Sequence, residues 1–164
     1  MRLKIRHNME VAHRLLNDNG KCQQIHGHGM QIELLLLCAE GQDGMAVNSA
    51  GYVMEFGRLK KEFREHIDTT YDHHLLLNQA DPWAETFYLH DTLEDDPVDG
   101  RTLPGLVTVP GDPTVENLCK WIAEWACKQF KVDTICRIDE TLTNGAEAMY
   151  FWNGFTATFA EGAR

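Results

Sequence analysis

The stretch His26-Gly27-His28-Gly29-Met30-Gln31-Ile32-Glu33-Leu34-Leu35-Leu36-Leu37-Cys38 decides how this chain folds. Residues two apart on a β-strand point to the same side, so His26, His28, Met30, Ile32, Leu34, Leu36 and Cys38 share a face. That face is apolar along most of its length and carries two imidazoles at one end. The preceding segment obeys the same period, with Leu3, Ile5, Met9, Val11 and His13 on one parity of residues 1–13. Between the two runs, Asn17-Asp18-Asn19-Gly20 is turn chemistry that reverses the chain, so the strands form an antiparallel pair. His13, His26 and His28 then meet at its turn-proximal end. Three neutral imidazoles around one Zn²⁺ leave a fourth tetrahedral position for water or substrate, which is the catalytic arrangement. Cys22, in the connecting loop, is close enough in sequence to reach that position as ligand or as base.

A chain of 164 residues with 43% hydrophobic content and four tryptophans is one globular domain able to bury a core. Its longest apolar run, Leu34-Leu35-Leu36-Leu37-Cys38-Ala39, is strand-sized rather than membrane-spanning. The opening Met1-Arg2-Leu3-Lys4-Ile5-Arg6 alternates charged and apolar residues, unlike a signal peptide, so a cytoplasmic protein with no membrane partner is expected. Five cysteines, an odd number without paired spacing, fit free thiols in a reducing compartment. Cys38, Cys119, Cys127 and Cys136 fall inside periodic segments as small buried hydrophobes, which leaves Cys22 as the loop thiol. A formal charge of −10 argues against direct nucleic-acid binding. An anionic small substrate would draw on Arg14, Lys21, Arg58, Lys60 and Lys61.

Beyond the first two strands, Gly41-Gln42-Asp43-Gly44 reads as a loop. Phe56, Leu59, Phe63 and Ile67 then recur at the spacing of an amphipathic helix. Asp112-Pro113-Thr114 opens a second helix with a capping residue and a proline, and Leu118, Ile122 and Trp125 supply its buried face. Residues 131–139 and 147–159, around Thr143-Asn144-Gly145, read as a hairpin. The order strand, strand, helix, helix, strand, strand predicts an α+β domain: a four-stranded antiparallel sheet with two helices on one face. Residues 80–112 fit this scheme least and read as an extended loop region. A short turn of helix is expected after Asp81-Pro82, an exposed acidic loop through Glu94-Asp95-Asp96, and an extended piece at Leu106-Val107-Thr108-Val109.

Several polar residues invite two readings. Tyr71-Asp72-His73-His74 is either a polar helix end, where histidines suit the dipole, or a carboxylate that orients an imidazole for proton transfer with a thiol. Glu140 is either a solvated strand end or a carboxylate able to accept two parallel N–H bonds from the guanidine-like edge of a heterocycle. Thr114 and Glu116 are, on their own, a helix cap and a dipole partner.

Together, Ala12-His13-Arg14-Leu15, Cys22 ahead of His26-Gly27-His28, Val53-Met54-Glu55-Phe56-Gly57, Asp72-His73, Pro113-Thr114 with Glu116-Asn117-Leu118, and Glu140-Thr141 resemble the 6-pyruvoyl-tetrahydropterin synthase superfamily. The resemblance covers nearly the whole chain in order. Three residues between Cys22 and His26 look like its bacterial 6-carboxy-tetrahydropterin synthase branch, which serves queuosine and 7-deazaguanine biosynthesis. Three departures stand out. Glu55 replaces an aspartate, Met9-Glu10-Val11-Ala12-His13 replaces a Phe-Ser-Ala-Ala-His pattern, and the 80–112 region is longer than in compact members.

The resemblance implies a tunnelling-fold domain over residues 1–164, assembled as rings, usually hexamers, with active sites at subunit boundaries. It implies that His13, His26 and His28 bind Zn²⁺, that Cys22, Asp72 and His73 form the proton-transfer set, with Cys22 and the Asp72–His73 pair from different chains, that Glu140 anchors a pterin ring, and that Thr114 and Glu116 line the pocket. The implied reaction turns 7,8-dihydroneopterin triphosphate into 6-carboxy-5,6,7,8-tetrahydropterin, with loss of triphosphate and a two-carbon fragment. A free thiol is only a few per cent thiolate at neutral pH, so Cys22 as base needs the help of His73, Asp72 and the nearby ion. Formation of 6-pyruvoyl-tetrahydropterin, or cleavage of a related pterin side chain, is the alternative. A second alternative is a non-catalytic assembly module in which Cys22 closes the zinc site.

Overall fold

The computed structural model describes residues 1–38, 51–93 and 105–160, with backbone alone at 88–93. In chain order the elements are β1 (Arg2–His13), a 3₁₀ turn (Lys21–Gln23), β2 (His26–Leu37), α1 (Phe56–Thr70), β3 (Leu75–Asn78) and α2 (Pro82–Leu93). They continue with β4 (Leu106–Val109), α3 (Val115–Phe130), β5 (Asp133–Asp139), β6 (Gly145–Trp152) and β7 (Ala157–Phe159).

β1 and β2 pair antiparallel over their full length, with Leu3 opposite Leu36 and His13 opposite His26. The shared parity of their apolar residues puts Ile5, Met9, Val11, Met30, Ile32, Leu34 and Leu36 on one buried face. Leu59, Phe63 and Ile67 of α1 close over it, together with Leu118, Cys119, Ile122, Ala123 and Ala126 of α3. Each large side chain removed from water there contributes about 1.5–3 kcal/mol. Thr114 caps α3 by accepting from the Asn117 N–H, and Lys131 ends it in the left-handed conformation.

The α+β class and both antiparallel pairs are as expected, but the sheet is larger. It has seven strands in the order β4-β3-β1-β2-β5-β6-β7 and is mixed, because β3 runs parallel to both β1 and β4. There are also three helices among the described residues rather than two. The causes are local. Leu75-Leu76-Leu77 is a short apolar run without alternation, and it joins the open edge of β1 through only two register pairs. The expected turn after Asp81-Pro82 is a 12-residue helix, and the extended piece at Leu106–Val109 is β4. The final strand breaks because Asn153 Oδ1 accepts from the N–H groups of Phe155 and Thr156 around Gly154, which folds β7 back on β6. The loop at Gly41-Gln42-Asp43-Gly44 and the acidic stretch Glu94-Asp95-Asp96 lie outside the described residues.

Candidate metal centre

The end of the β1–β2 pair gathers three imidazoles. His13 faces His26 across the ladder and His28 is on the same face of β2, so the ring centroids stand 4.5, 5.3 and 5.1 Å apart pairwise. One ring nitrogen from each lies within 4.8 Å of the others, and Cys22 is outside this group. The glycine between the ligands is required. A β-carbon on Gly27 would stand 2.8 Å from the Val11 carbonyl oxygen, so a larger residue would push the strands apart where the rings meet.

His13 is buried, and its Nδ1 lies 2.8 Å from the Pro113 carbonyl oxygen. A carbonyl only accepts, so Nδ1 carries the proton and Nε2 keeps its lone pair. That Nε2 is buried and has no hydrogen-bond partner among the described residues. His26 is oriented the same way, with Nδ1 2.8 Å from the Gln24 carbonyl. Burial chiefly, and then the neighbouring His26 and His28, push the His13 imidazole down to about 4 against the pull of the Pro113 hydrogen bond. It is therefore neutral at neutral pH, the form that ligates metals. Three imidazoles, two of them oriented by carbonyls, with one buried lone pair lacking a partner, fit a zinc-type ion.

Glu140 follows β5, which pairs with β2, and its Oε1 lies 4.0 Å from Nε2 of both His13 and His28. The strand-end glutamate thus belongs to the histidine centre within one chain. The cysteine and the Asp72–His73 pair do not meet there. Cys22 sits exposed in the 3₁₀ turn, its carbonyl accepting from the Leu15 N–H, and its thiol makes no hydrogen bond among the described residues. Asp72 and His73 lie between α1 and β3, clipped to β1 at Glu10. Asp72 Oδ1 accepts the Glu10 N–H at 2.7 Å, and Oδ2 accepts from His73 Nδ1 at 2.6 Å. Burial raises the Asp72 carboxyl, but the bonds from Glu10 and His73 outweigh it and hold the group below its ordinary value. His73 has φ 59°, and its side chain is 78% exposed.

Thr114 and Glu116 show the plainer of their two geometries. The Thr114 hydroxyl accepts from the Asn117 N–H at 3.3 Å, and Glu116 is exposed in the first turn of α3. Of the expected cations, Arg14 packs its guanidinium 4.9 Å from the Trp83 ring with Nε 3.3 Å from Asp81, and Arg58 pairs with Glu62. Sequence reasoning missed the Pro113 carbonyl as the partner of His13, and the 2.8 Å bond from the Asn78 amide to the neighbouring Asp112 carboxylate. Asp112-Pro113-Thr114 signalled a helix start and, through Thr114, part of a family pattern, but not a partner for His13.

The sequence matches the 6-pyruvoyl tetrahydropterin synthase family over residues 2–150. Curated 6-carboxy-5,6,7,8-tetrahydropterin synthases of Rickettsia typhi and Rickettsia bellii are 31% and 32% identical over 72 residues, 44% of this chain. The chain spans about half the length of these relatives, 48% in each case. A Wolinella succinogenes protein of uncharacterised function superposes with a TM-score of 0.62 at 20% identity, covering 90% of this chain and 97% of its own. A catalytic-residue mutant of Plasmodium vivax 6-pyruvoyltetrahydropterin synthase gives 0.64 at 16% identity, covering 92% and 98%. At such identities the solved structures carry the fold, and the match along the sequence carries the family. With its motifs in order along a sheet shared with these proteins, this chain belongs to the 6-pyruvoyl tetrahydropterin synthase family.

Proposed function

We propose that this chain converts 7,8-dihydroneopterin triphosphate into 6-carboxy-5,6,7,8-tetrahydropterin for queuosine and 7-deazaguanine synthesis, with Zn²⁺ held by His13, His26 and His28. The observation that carries this is the convergence of three ring nitrogens within 4.8 Å around a buried His13 Nε2 that has no partner of its own. The printed names of the Rickettsia relatives support the carboxy product.

A zinc ion bound there supplies Lewis acidity to the side-chain hydroxyls of the substrate and makes the adjacent carbon-bound hydrogen more acidic. The chain's own residues do the rest. Cys22 removes that proton as thiolate. His73 takes the thiol proton at Nε2, because its Nδ1 is committed to Asp72 at 2.6 Å. Glu140 accepts two N–H bonds from the pterin edge in fork geometry and fixes the ring beside the histidines. Thr114 and Glu116 line the pocket at the start of α3.

Among the described residues no hydrogen bond joins Cys22 to the Asp72–His73 pair, which supports a site completed by two copies, in a homohexameric ring of the tunnelling fold. Residues 1–164 form one such domain, acting in the cytoplasm on a small-molecule substrate. No described helix is long and apolar enough to cross a membrane.

The Plasmodium neighbour's name favours a second reading, release of 6-pyruvoyl-tetrahydropterin from the same site. Incubating zinc-loaded protein with dihydroneopterin triphosphate and identifying the product by mass spectrometry separates the two. The carboxylated pterin is expected. The pyruvoyl product selects the second reading, and a zinc-loaded ring without turnover selects the non-catalytic assembly module.

A further inference from the structure

We infer, resting on the metal-binding reading above, that Asp112 is a positioning residue that sets how tightly His13 holds its metal ion. His13 is the buried member of the trio, and its ring is aimed by one bond, from Nδ1 to the Pro113 carbonyl at 2.8 Å. That carbonyl comes from a segment 100 residues away in the chain, so something must pin the segment against the end of β1.

Asp112 does so with every acceptor it has. Its Oδ1 accepts the Leu16 N–H at 3.2 Å and the Asn78 side-chain amide at 2.8 Å, and its Oδ2 accepts the Asn17 N–H at 2.9 Å. Its own carbonyl accepts the Asn117 side-chain amide and the Thr114 N–H, both at 2.8 Å. Its carboxylate therefore ties the residues just after His13 to the buried end of β3, and its carbonyl ties both to the start of α3. Pro113 is buried with its φ set by the ring, and the bond from the Thr114 N–H to the Asp112 carbonyl holds the peptide plane whose oxygen receives His13. An outer partner of a metal-binding histidine fixes tautomer and ring direction, and its loss typically costs about 10–100-fold in metal affinity. Asp112 acts one bond further out, through the placement of that partner.

The test is zinc affinity, read by competition with a chromophoric chelator, on metal-stripped protein at a temperature well below each variant's melting point. Asp112→Asn keeps the size of the side chain but turns one acceptor oxygen into a donor facing N–H groups. It is expected to weaken zinc binding by about 10–100-fold while keeping one ion per chain. Asn78→Ala, which removes one of the three bonds to the carboxylate, is expected to weaken it in the same direction by less. Asp133→Ala is the control for general destabilisation. It removes the acceptor of the Trp152 N–H at the far end of β5, so it lowers the melting temperature and leaves zinc affinity unchanged.

A folded Asp112→Asn protein with wild-type affinity overturns the inference. If that variant does not fold, unchanged affinity in Asn78→Ala overturns it instead. Wild-type protein that takes up no zinc overturns the metal reading and this inference with it, whereas wild-type binding with unaltered variants overturns this inference alone.

Discussion

Gly27 lies so close to Val11 that a β-carbon on it would stand 2.8 Å from the Val11 carbonyl oxygen. The obstacle is backbone in a paired strand, so it cannot swing aside as a side chain would. Gly27→Ala therefore forces β2 away from β1 where His13 faces His26. A loss of about 1–3 kcal/mol in urea unfolding is expected, as for other overpacked positions, together with weaker zinc binding in chelator competition. Wild-type behaviour in both measurements would show that the close approach is not what brings the rings together.

Cys22 is exposed, and its thiol has no hydrogen bond among the described residues, so its removal costs the fold little. Cys22→Ala is expected to keep one zinc per chain and to stay within about 0.5 kcal/mol of wild-type stability. Turnover falls by about 10²–10⁴-fold, the usual contribution of a positioned proton-transfer group. Full activity refutes the base assignment, and loss of zinc moves the sulfur into the coordination shell.

Asp72 and His73 are joined to each other and to Glu10, yet no hydrogen bond links them to Cys22 in the same chain. If the proton-transfer set is assembled across a subunit boundary, two inactive proteins can rescue one another. Rings formed by unfolding and co-refolding Cys22→Ala with His73→Ala should recover part of the wild-type rate, because some boundaries then carry an intact cysteine and an intact histidine. No recovery in rings shown by mass spectrometry to be mixed places all three residues in one chain.

Acid should destabilise the metal-free protein in a defined window. Burial against Trp125, whose ring stacks on it at 3.8 Å and 6°, holds the His66 imidazole down to about 4 from 6.5. Between those values the unfolded chain binds a proton that the folded chain excludes, so stability falls as pH drops through the window and levels off below it. His13, also pushed down to about 4, adds in the same direction while no metal is bound. His66→Phe keeps a ring on Trp125 and removes the titrating group. Urea unfolding at pH 7 and pH 5 should therefore show a smaller loss in the variant than in wild type, and parallel losses contradict the assignment.

Much of this arrangement is legible in the sequence. Parity alone placed His13, His26 and His28 on one face, because the β1–β2 apolar pattern persists long enough to fix register and the turn at Asn17–Gly20 dictates direction. α1 was legible from Leu59, Phe63 and Ile67, although Phe56, read onto the same stripe, is 46% exposed. β3 was not, since four residues joined to a parallel neighbour carry no periodic signal of their own. Nor was the whole of α2, whose start at Asp81-Pro82 is readable but whose apolar residues do not repeat on one side. In the site, Glu140 reaches the histidines only because β5 lies beside β2, a choice of neighbour that no local pattern specifies. The bond from His13 to Pro113 spans 100 residues and uses a backbone carbonyl, which every residue possesses, so no residue type could announce it.

X-ray absorption at the zinc edge of the loaded protein tests the central claim most directly. Three histidine nitrogens with one exchangeable position predict only light scatterers at about 2.0–2.1 Å, with one oxygen replaced when a substrate analogue binds. A sulfur scatterer at about 2.3 Å, or no stoichiometric zinc at all, would contradict the account.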